Sequence, residues 1–300
     1  IIDDSETIVI NDGSTDNSSN IIKKFIKMHK NMDIKLIEQY NQNASIARNR
    51  GIEIACGKYF YFLDSDDKIA DDSILEKLYN DIDDNDLLIG NYSVIDVDGK
   101  FLYKKISKES FINELNNKYK YMLISPVPSN KLYKSDIIKK NGLYFDNINI
   151  GQDLNFYIKY LMHSDKIKVV DYDIYDYRIV STSMSRTINF NILDIIKCFD
   201  KIKKHYISNG NYNDYMKYIT IVALNHCNIQ MNRTLYLKNK KLRNVIYKYF
   251  VYNVEQMDFS ETIKLPRFKY ELNKYKFKKY FKLLYYSKLF IKAKEKRPNR

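Results

Sequence analysis

Residues Tyr59 to Asp67 read Tyr-Phe-Tyr-Phe-Leu-Asp-Ser-Asp-Asp. Its first five residues are apolar or aromatic without alternation, which predicts a β-strand covered on both faces. Three carboxylates follow at once, at Asp64, Asp66 and Asp67. Because open α/β sheets bind their ligands beyond the carboxyl ends of their strands, the stretch predicts a central strand that ends in a ligand site.

Short β-rich runs alternate with helical runs on both sides of this stretch. The pattern predicts strands near 7–10, 34–37, 86–96, 100–105 and 167–179, and helices over 17–30, 44–55, 72–80, 109–122, 192–207 and 215–231. Strand-helix alternation is typical of a mostly parallel sheet flanked by helices. We therefore predict an α/β domain over residues 1–188 and a helical C-terminal region over residues 189–300.

Positive charge is concentrated at one end of the chain. Residues 261–300 hold 14 Lys or Arg and three Glu, which is +11 of the formal net charge of +13. Between 268 and 290 the lysines are interleaved with nine aromatic residues. This composition suits peripheral contact with an anionic membrane, and a solvated basic tail explains it equally well. A nucleic-acid binder would spread its charge more widely, so we expect no nucleic-acid partner.

Several other classes of protein are disfavoured by what the sequence lacks. It contains no apolar stretch long enough to span a membrane and no signal-peptide pattern at its first residues, so a cytoplasmic location is expected. Dinucleotide, Walker and serine-hydrolase motifs are absent, and the four histidines have no zinc-binding spacing. Three widely spaced cysteines suggest neither disulfides nor a metal site, and we interpret them as buried apolar residues.

Three polar motifs are candidates for a site, and each has an ordinary structural explanation. The segment 11–16, Asn-Asp-Gly-Ser-Thr-Asp, can place an anion at a helix N-terminus or form a plain strand-to-helix turn. The carboxylates at 64–67 suit Mg²⁺ or Mn²⁺ shared with phosphates, or form a solvated acidic turn. Asp153, before an apolar helix, is by itself better explained as a helix cap.

Taken together and in this order, the motifs resemble those of the family 2 glycosyltransferases, which have the GT-A fold. The resemblance covers roughly residues 1–185. It rests on the motif at 11–16, Ala-Arg-Asn-x-Gly at 47–51, Phe-Leu-Asp-Ser-Asp-Asp at 62–67, Asn-Lys-Leu-Tyr at 130–133 and Gly-Gln-Asp-Leu at 151–154.

This resemblance implies an inverting, metal-dependent enzyme of bacterial surface polysaccharide synthesis. Such an enzyme moves a sugar from a nucleotide-sugar donor, expected to be UDP-linked, to a glycan or lipid-linked acceptor at the inner face of the membrane. On the donor side, Asp12 would face the nucleotide base. Arg48 would lie near the nucleotide, and Asp64 with Ser65 would lie at the ribose and diphosphate.

The resemblance also implies the metal site and the base. Asp66 would hold Mn²⁺ or Mg²⁺, with Asp64 and Asp67 contributing. Asp153 would be the general base that takes the proton from the acceptor hydroxyl. A metal held by carboxylates neutralises charge on the leaving phosphate, so these roles are chemically consistent.

Two departures from the family pattern matter. The family's first strand and helix, which precede the motif at 11–16, are missing from this sequence, so we expect a gap or an exposed edge in the sheet. In addition, Gln152 stands where the family has Glu, which should leave Asp153 easier to ionise. The alternatives left open are a catalytically silent relative that acts as a binding module and a nucleic-acid binder that uses the basic tail.

Overall fold

The computed structural model describes residues 5–107, 118–180, 189–214, 219–234 and 236–255. These residues divide into two units. The first consists of the described residues of Ile1–Ile148 and Gln152–Ser183, and the second of those of Asn149–Gly151 and Met184–Arg300. The basic aromatic tail at 268–300 lies outside the described residues, as does most of the helix predicted over 109–122.

The first unit alternates strands with helices, as the sequence predicts. Its strands are β1 (Glu6–Asp12), β2 (Asp33–Gln39), β3 (Tyr59–Tyr61), β4 (Lys68–Ile69), β5 (Leu87–Ile95), β6 (Phe101–Lys105), β7 (Lys131–Lys134) and β8 (Ile167–Arg178). Its helices are α1 (Ser18–Met28), α2 (Ala44–Ile54), α3 (Ile74–Ile82), α4 (Ser135–Lys140) and α5 (Gln152–Met162). Short 3₁₀ helices lie at Lys118–Leu123 and Pro128–Asn130. The α/β class is therefore confirmed.

Strand directions are more mixed than the sequence suggests. β1 and β2 form a parallel two-stranded sheet, and the larger sheet has the order β3-β7-β5-β8-β4, with β6 also paired to β5. Among the described strands of the larger sheet, only β5 and β8 pair in parallel. The expectation of a mostly parallel sheet is wrong in this respect, because periodicity identifies strands but not the direction in which the chain returns.

The position of β3 also differs from the expectation of a central strand. β3 covers only Tyr59–Tyr61 and ends the larger sheet among the described strands. β1 pairs with β2 and not with β3 in the described part of the chain. The Glu6 carboxylate of β1 accepts a hydrogen bond from Gly57 N at 2.9 Å, which ties β1 to the segment before β3.

Three aromatic rings connect the end of β3 with the start of α5. Phe145 and Phe156 stack with their centroids 4.0 Å apart, and Phe62 meets both rings edge-on at 5.4 and 6.0 Å. Such pairs contribute about 0.5–1.5 kcal/mol each beyond the burial of their area. The rings therefore hold the segment that leads to Asp64 against the helix that carries Asp153.

The second unit is helical in its described residues. Asn149 donates to the Asp194 carboxylate from its backbone N at 3.0 Å and from Nδ2 at 2.7 Å. Gly151 has φ +89°, and a Cβ there would lie 3.0 Å from atoms of Cys198, so only glycine fits. The helices are α6 (Asp194–Ser208), α7 (Tyr212–Asp214), α8 (Thr220–Thr234) and α9 (Lys240–Glu255), with a 3₁₀ helix at Phe190–Leu193.

Two further expectations concern cysteines and membrane spans. Cys198 and Cys227 are buried, but Cys56 is exposed, since it lies in the surface segment between α2 and β3. The prediction of three buried cysteines is therefore wrong for Cys56. No helix formed by the described residues is both long enough and apolar enough to cross a bilayer.

Candidate active site

A largely buried arginine joins two of the carboxylates that the sequence singles out. Arg48 Nη2 donates to both carboxylate oxygens of Asp64, at 2.6 and 2.9 Å, and Nη1 donates to Asp153 Oδ1 at 3.0 Å. The Arg48 side chain is 10% exposed, against 41% for Asp64 and 30% for Asp153. Burial acts to lower the pKa of Arg48, but Asp153 and Asp64 raise it above its ordinary value. The guanidinium is therefore charged and shared between two acids.

The start of α2 positions this arginine. Asn43 caps the helix, and its side chain accepts hydrogen bonds from Ser45 N at 3.0 Å and Ile46 N at 3.3 Å. Asn43 has φ +86° and ψ +165°, a backbone region that residues other than glycine seldom occupy. The cap fixes where α2 begins, and Arg48 lies about one turn into the helix.

Asp12 lies at the end of β1 and organises the segment that leads into α2. Its carboxylate accepts hydrogen bonds from Gln39 Nε2 at 2.7 Å, Gln42 N at 2.9 Å and Asn43 N at 2.9 Å. The contact with Asn43 connects Asp12 to the cap of α2, but Asp12 does not touch Arg48. Its predicted role toward a nucleotide base stays a prediction.

The acidic segment after β3 contains side chains in three different environments. Asp64 is paired with Arg48, whereas Ser65 and Asp66 are exposed. Asp67 is half-buried, and its Oδ1 accepts a hydrogen bond from Arg178 N at 2.9 Å. Burial raises the pKa of Asp67 to about 7, and the charges of Asp66 and Asp64 act in the same direction. The segment is therefore a turn held by hydrogen bonds to Asp64 and Asp67, and the carboxylate of Asp66 is exposed to solvent.

Of the three carboxylates after β3, two are engaged by arginines and one is available to a metal ion. The described residues contain no group of three or more His, Cys, Asp or Glu side chains placed to hold one. Asp64 is bonded to Arg48 and Asp67 to Arg178, while the exposed Asp66 carboxylate has no hydrogen bond within the described chain. Mg²⁺ commonly binds one or two protein carboxylates together with substrate phosphates. Asp66 fits such a role, and metal ligation by Asp64 and Asp67 stays a prediction.

Asp153 lies in the first turn of α5, and its carboxylate hydrogen-bonds to Arg48 rather than to the backbone of its own helix. This contact distinguishes it from an ordinary helix cap. Burial raises the pKa of Asp153 above its ordinary value; Arg48 and Lys131 lower it, and Asp64 adds to the rise. Only Oδ1 is bonded to Arg48, so Oδ2 remains able to accept a proton.

The neighbour of Asp153 is fixed by a residue that motif reasoning missed. The Ser45 side chain is fully buried, and its hydroxyl is hydrogen-bonded to the Gln152 side chain and to the carbonyl oxygen of Asp146, the latter at 3.0 Å. Ser45 lies in α2, three residues before Arg48. Its place beside Arg48 in the sequence was a signal that could have identified it. Arg178, which holds the turn after β3, carries no comparable signal.

Comparison with known proteins identifies the family. The sequence profile of Glycosyl transferase family 2 matches residues 2–142. Glycosyltransferase GlyG of Streptococcus pneumoniae is 30% identical over 213 residues, which are 65% of this chain and 69% of GlyG. Poly(ribitol-phosphate) beta-N-acetylglucosaminyltransferase TarP of Staphylococcus aureus is 33% identical over 181 residues, which are 57% of this chain and 53% of TarP.

The matches differ in how much of each protein they cover. The chain spans 27% of the length of glycosyltransferase GlyA of Streptococcus pneumoniae, at 35% identity over 196 residues and 60% of this chain. The solved structure of S. aureus TarS 1–349 in complex with UDP has a TM-score of 0.47 and 19% identity, over 86% of this chain and 81% of that one. The match to GlyG, at 30% identity over 69% of that protein, shows the family, and the profile match agrees with it. The chain belongs to glycosyltransferase family 2.

Proposed function

We propose that this protein is an inverting, metal-dependent glycosyltransferase that uses a nucleotide-sugar donor, with a UDP-sugar as the expected one. The observation that carries the proposal is the sharing of Arg48 between Asp64 and Asp153. Asp64 follows β3, in the segment assigned to the donor, and Asp153 begins α5, at the position assigned to the base. The Arg48 guanidinium thus contacts both the residue that we assign to the donor and the residue that we assign to the acceptor.

On the donor side, Arg48 supplies positive charge for a diphosphate, and Asp64 with Ser65 provides polar groups for the ribose. The Asp12 carboxylate accepts three hydrogen bonds from the segment between Gln39 and Asn43. These bonds fix the region that we assign to the nucleobase of the donor. Asp66 would hold Mn²⁺ or Mg²⁺. When bound, the ion neutralises charge on the departing diphosphate.

On the acceptor side, Asp153 is the general base. As the acceptor hydroxyl oxygen bonds to the anomeric carbon, the bond from that carbon to the diphosphate oxygen breaks and the hydroxyl proton passes to Asp153 Oδ2. Arg48 holds Oδ1, which fixes the direction of the carboxylate during this step. A single displacement of this kind inverts the anomeric centre.

The acceptor class is supported by a relative. TarP of Staphylococcus aureus is named as an N-acetylglucosaminyltransferase that acts on poly(ribitol-phosphate). We infer a glycan or lipid-linked acceptor in surface polysaccharide synthesis. The basic aromatic tail at 268–300 would bring the protein to the anionic inner face of the membrane, since each Lys near such a surface contributes up to about 1 kcal/mol.

Transfer assays with a panel of nucleotide sugars test the proposal. Wild-type protein should release nucleoside diphosphate from one donor in a Mn²⁺- or Mg²⁺-dependent manner, and faster with a glycan acceptor. Donor binding without turnover would instead indicate a binding module. Removal of 268–300 should reduce sedimentation with anionic vesicles; tight, salt-sensitive binding of that segment to DNA or RNA, without lipid binding, would favour the nucleic-acid alternative.

A further inference from the structure

The motif at 130–133 has no role in the reaction outlined above, yet it contains a completely buried lysine. The Lys131 side chain, at the start of β7, is 0% exposed. Its Nζ lies 2.6 Å from Ser125 O, 2.8 Å from Val127 O and 2.6 Å from Asn130 Oδ1. Nζ also lies 4.4 Å from the ring centroid of Tyr157, one helical turn beyond Asp153 on α5.

The three oxygen acceptors identify the protonation state of Lys131. Burial lowers the pKa of this lysine well below its ordinary value, and Asp153 acts to raise it. A neutral amine has two N–H groups and leaves one of three acceptors without a donor, whereas an ammonium has three and satisfies all of them. Because an unmatched buried polar group is costly, the three acceptors favour the ammonium form and oppose the effect of burial.

The amide of Asn130 is oriented to serve this lysine. Asn130 Nδ2 donates to Gly90 O at 2.8 Å and to Ser107 Oγ at 3.2 Å, and Ser107 Oγ donates in turn to Gly90 O at 2.8 Å. With both amide hydrogens engaged, Asn130 must present its oxygen to Lys131. The cation site is therefore built by the fold rather than formed by a chance approach.

We propose that Lys131 is a positioning residue for the transfer reaction: its ammonium fixes the segment 125–130 and supplies a permanent positive charge that keeps the Asp153 carboxylate ionised. The inference rests on the proposed function for its link to catalysis. Arg48 is shared with Asp64 and lies on the donor side, so its attraction for Asp153 depends on donor contacts. Lys131, in contrast, is enclosed by protein oxygens and remains in place throughout.

The charged and titratable groups that face Asp153 come from three elements. Arg48 comes from α2, Asp64 follows β3, and Lys131 and Tyr133 come from β7. Burial raises the pKa of Tyr133 well above its ordinary value, so this phenol is neutral. Within the described part of the chain, Arg48 and Lys131 are therefore the positive charges that oppose the effect of burial on Asp153.

Nuclear magnetic resonance of the ligand-free protein, with a chelator present, tests the effect of the Lys131 charge on Asp153 directly. The Asp153 ¹³Cγ resonance, assigned with Asp153→Asn, should titrate with a pKa about 1 unit higher in Lys131→Met than in wild type. The matched control is Lys159→Met. Lys159 lies on α5 itself, its side chain is 13% exposed, and its Nζ is 2.6 Å from Asp146 Oδ2. This control removes the same charge and should leave the Asp153 titration in place. An equal pKa in wild type and Lys131→Met would overturn the inference.

Two further measurements keep the test decisive. If Lys131→Met does not fold, the ¹⁵Nζ resonance of wild-type Lys131 decides, since a neutral amine at pH 7 would overturn the inference. In transfer assays of Lys131→Met, the acid limb of the plot of kcat/KM against pH should move to higher pH, in step with the Asp153 pKa measured by resonance. Activity should recover at higher pH. A limb that stays in place despite a shifted Asp153 would remove the link to catalysis. Absence of transfer even in the wild type would refute the proposed function and leave the electrostatic result standing.

Discussion

Arg48 donates a 3.0 Å hydrogen bond to Asp153, which makes the arginine assigned to the donor a direct partner of the predicted base. The same guanidinium holds Asp64 with two hydrogen bonds. A change at any of the three residues therefore alters the electrostatics of both sides of the site.

Replacement of Arg48 by Met should leave Asp64 and Asp153 facing each other without a cation. We expect the variant to lose about 1–3 kcal/mol of unfolding free energy, because two partly buried carboxylates lose their donor, and to lose donor affinity. Denaturant unfolding and calorimetry measure these effects. Arg50→Met is the control, since exposed Arg50 pairs with exposed Glu53 on the same helix and should change stability by about 0.5 kcal/mol or less. Equal effects in both variants would contradict the bridging role.

Replacement of Asp153 by Asn should reduce transfer by about 10²–10⁴-fold while nucleotide affinity is preserved, because the amide cannot take the acceptor proton. Single-turnover kinetics measure the rate. Asp136→Asn is a matched control, since Asp136 also lies in the first turn of a helix, α4, and is 62% exposed. If Asp153→Asn kept its turnover and lost only thermal stability, the residue would be structural.

Replacement of Asp66 by Ala should abolish the Mn²⁺-dependent part of UDP binding and leave the fold intact, because an exposed carboxylate contributes little to the core. Calorimetry with and without Mn²⁺ measures the difference. Asp72→Ala removes another exposed aspartate six residues further along. Unchanged Mn²⁺ dependence in Asp66→Ala would exclude Asp66 as the metal ligand.

The pKa of Asp67 is raised to about 7, and this predicts how the free energy of unfolding varies with pH when a chelator keeps the protein free of metal. The unfolded aspartate titrates near 4, so between about pH 4 and 7 the folded state holds more protons than the unfolded state. Stability should therefore fall as pH rises through this window. Asp67→Asn keeps an acceptor for Arg178 and removes the charge, so it should raise Tm at pH 8 and change it little at pH 4. Asp72→Asn, an exposed change of the same charge, should not reproduce this pattern.

Replacement of Gln152 by Glu should be tolerated by the fold, because a carboxylate can still accept the Ser45 hydroxyl. The added negative charge lies next to Asp153 and should raise its pKa, so the acid limb of the kcat/KM profile should move upward. Gln152→Met, which cannot accept that hydrogen bond, should lose stability without shifting the limb. A profile unchanged in Gln152→Glu would contradict the proposed proximity of these charges.

The sequence was sufficient for the class of fold and for the family, because both depend on local patterns. Periodicity located α2 and β8 to within a few residues, and the motifs at 11–16 and 62–67 led to the correct family. The direction of each strand and the position of β3 at an end of its sheet could not be predicted in this way. Both depend on pairing between residues that are distant in the chain.

The sequence predicted several residues of the candidate site but not the hydrogen bonds that join them. Arg48, Asp64 and Asp153 are widely separated in sequence, and only the fold shows that one guanidinium joins them. Ser45 and Lys131 contribute through burial, which a single sequence does not report. Arg178 reaches the turn after β3 from the far end of β8, at a separation of 111 residues from Asp67.

The unequal burial of the first unit has a consequence for its local opening. All nine residues of β5 are buried, so its amide hydrogens should exchange with solvent only when the whole unit unfolds. Helix α1 has no buried residue, and in β1 only Asn11 is buried, so this part can open by itself far more often. Asp12 is carried by the part that opens, and Asp153 by α5, which is mostly buried. A protease should therefore cut near α1 first, and a bound nucleotide should slow that cleavage more than it slows exchange in β5.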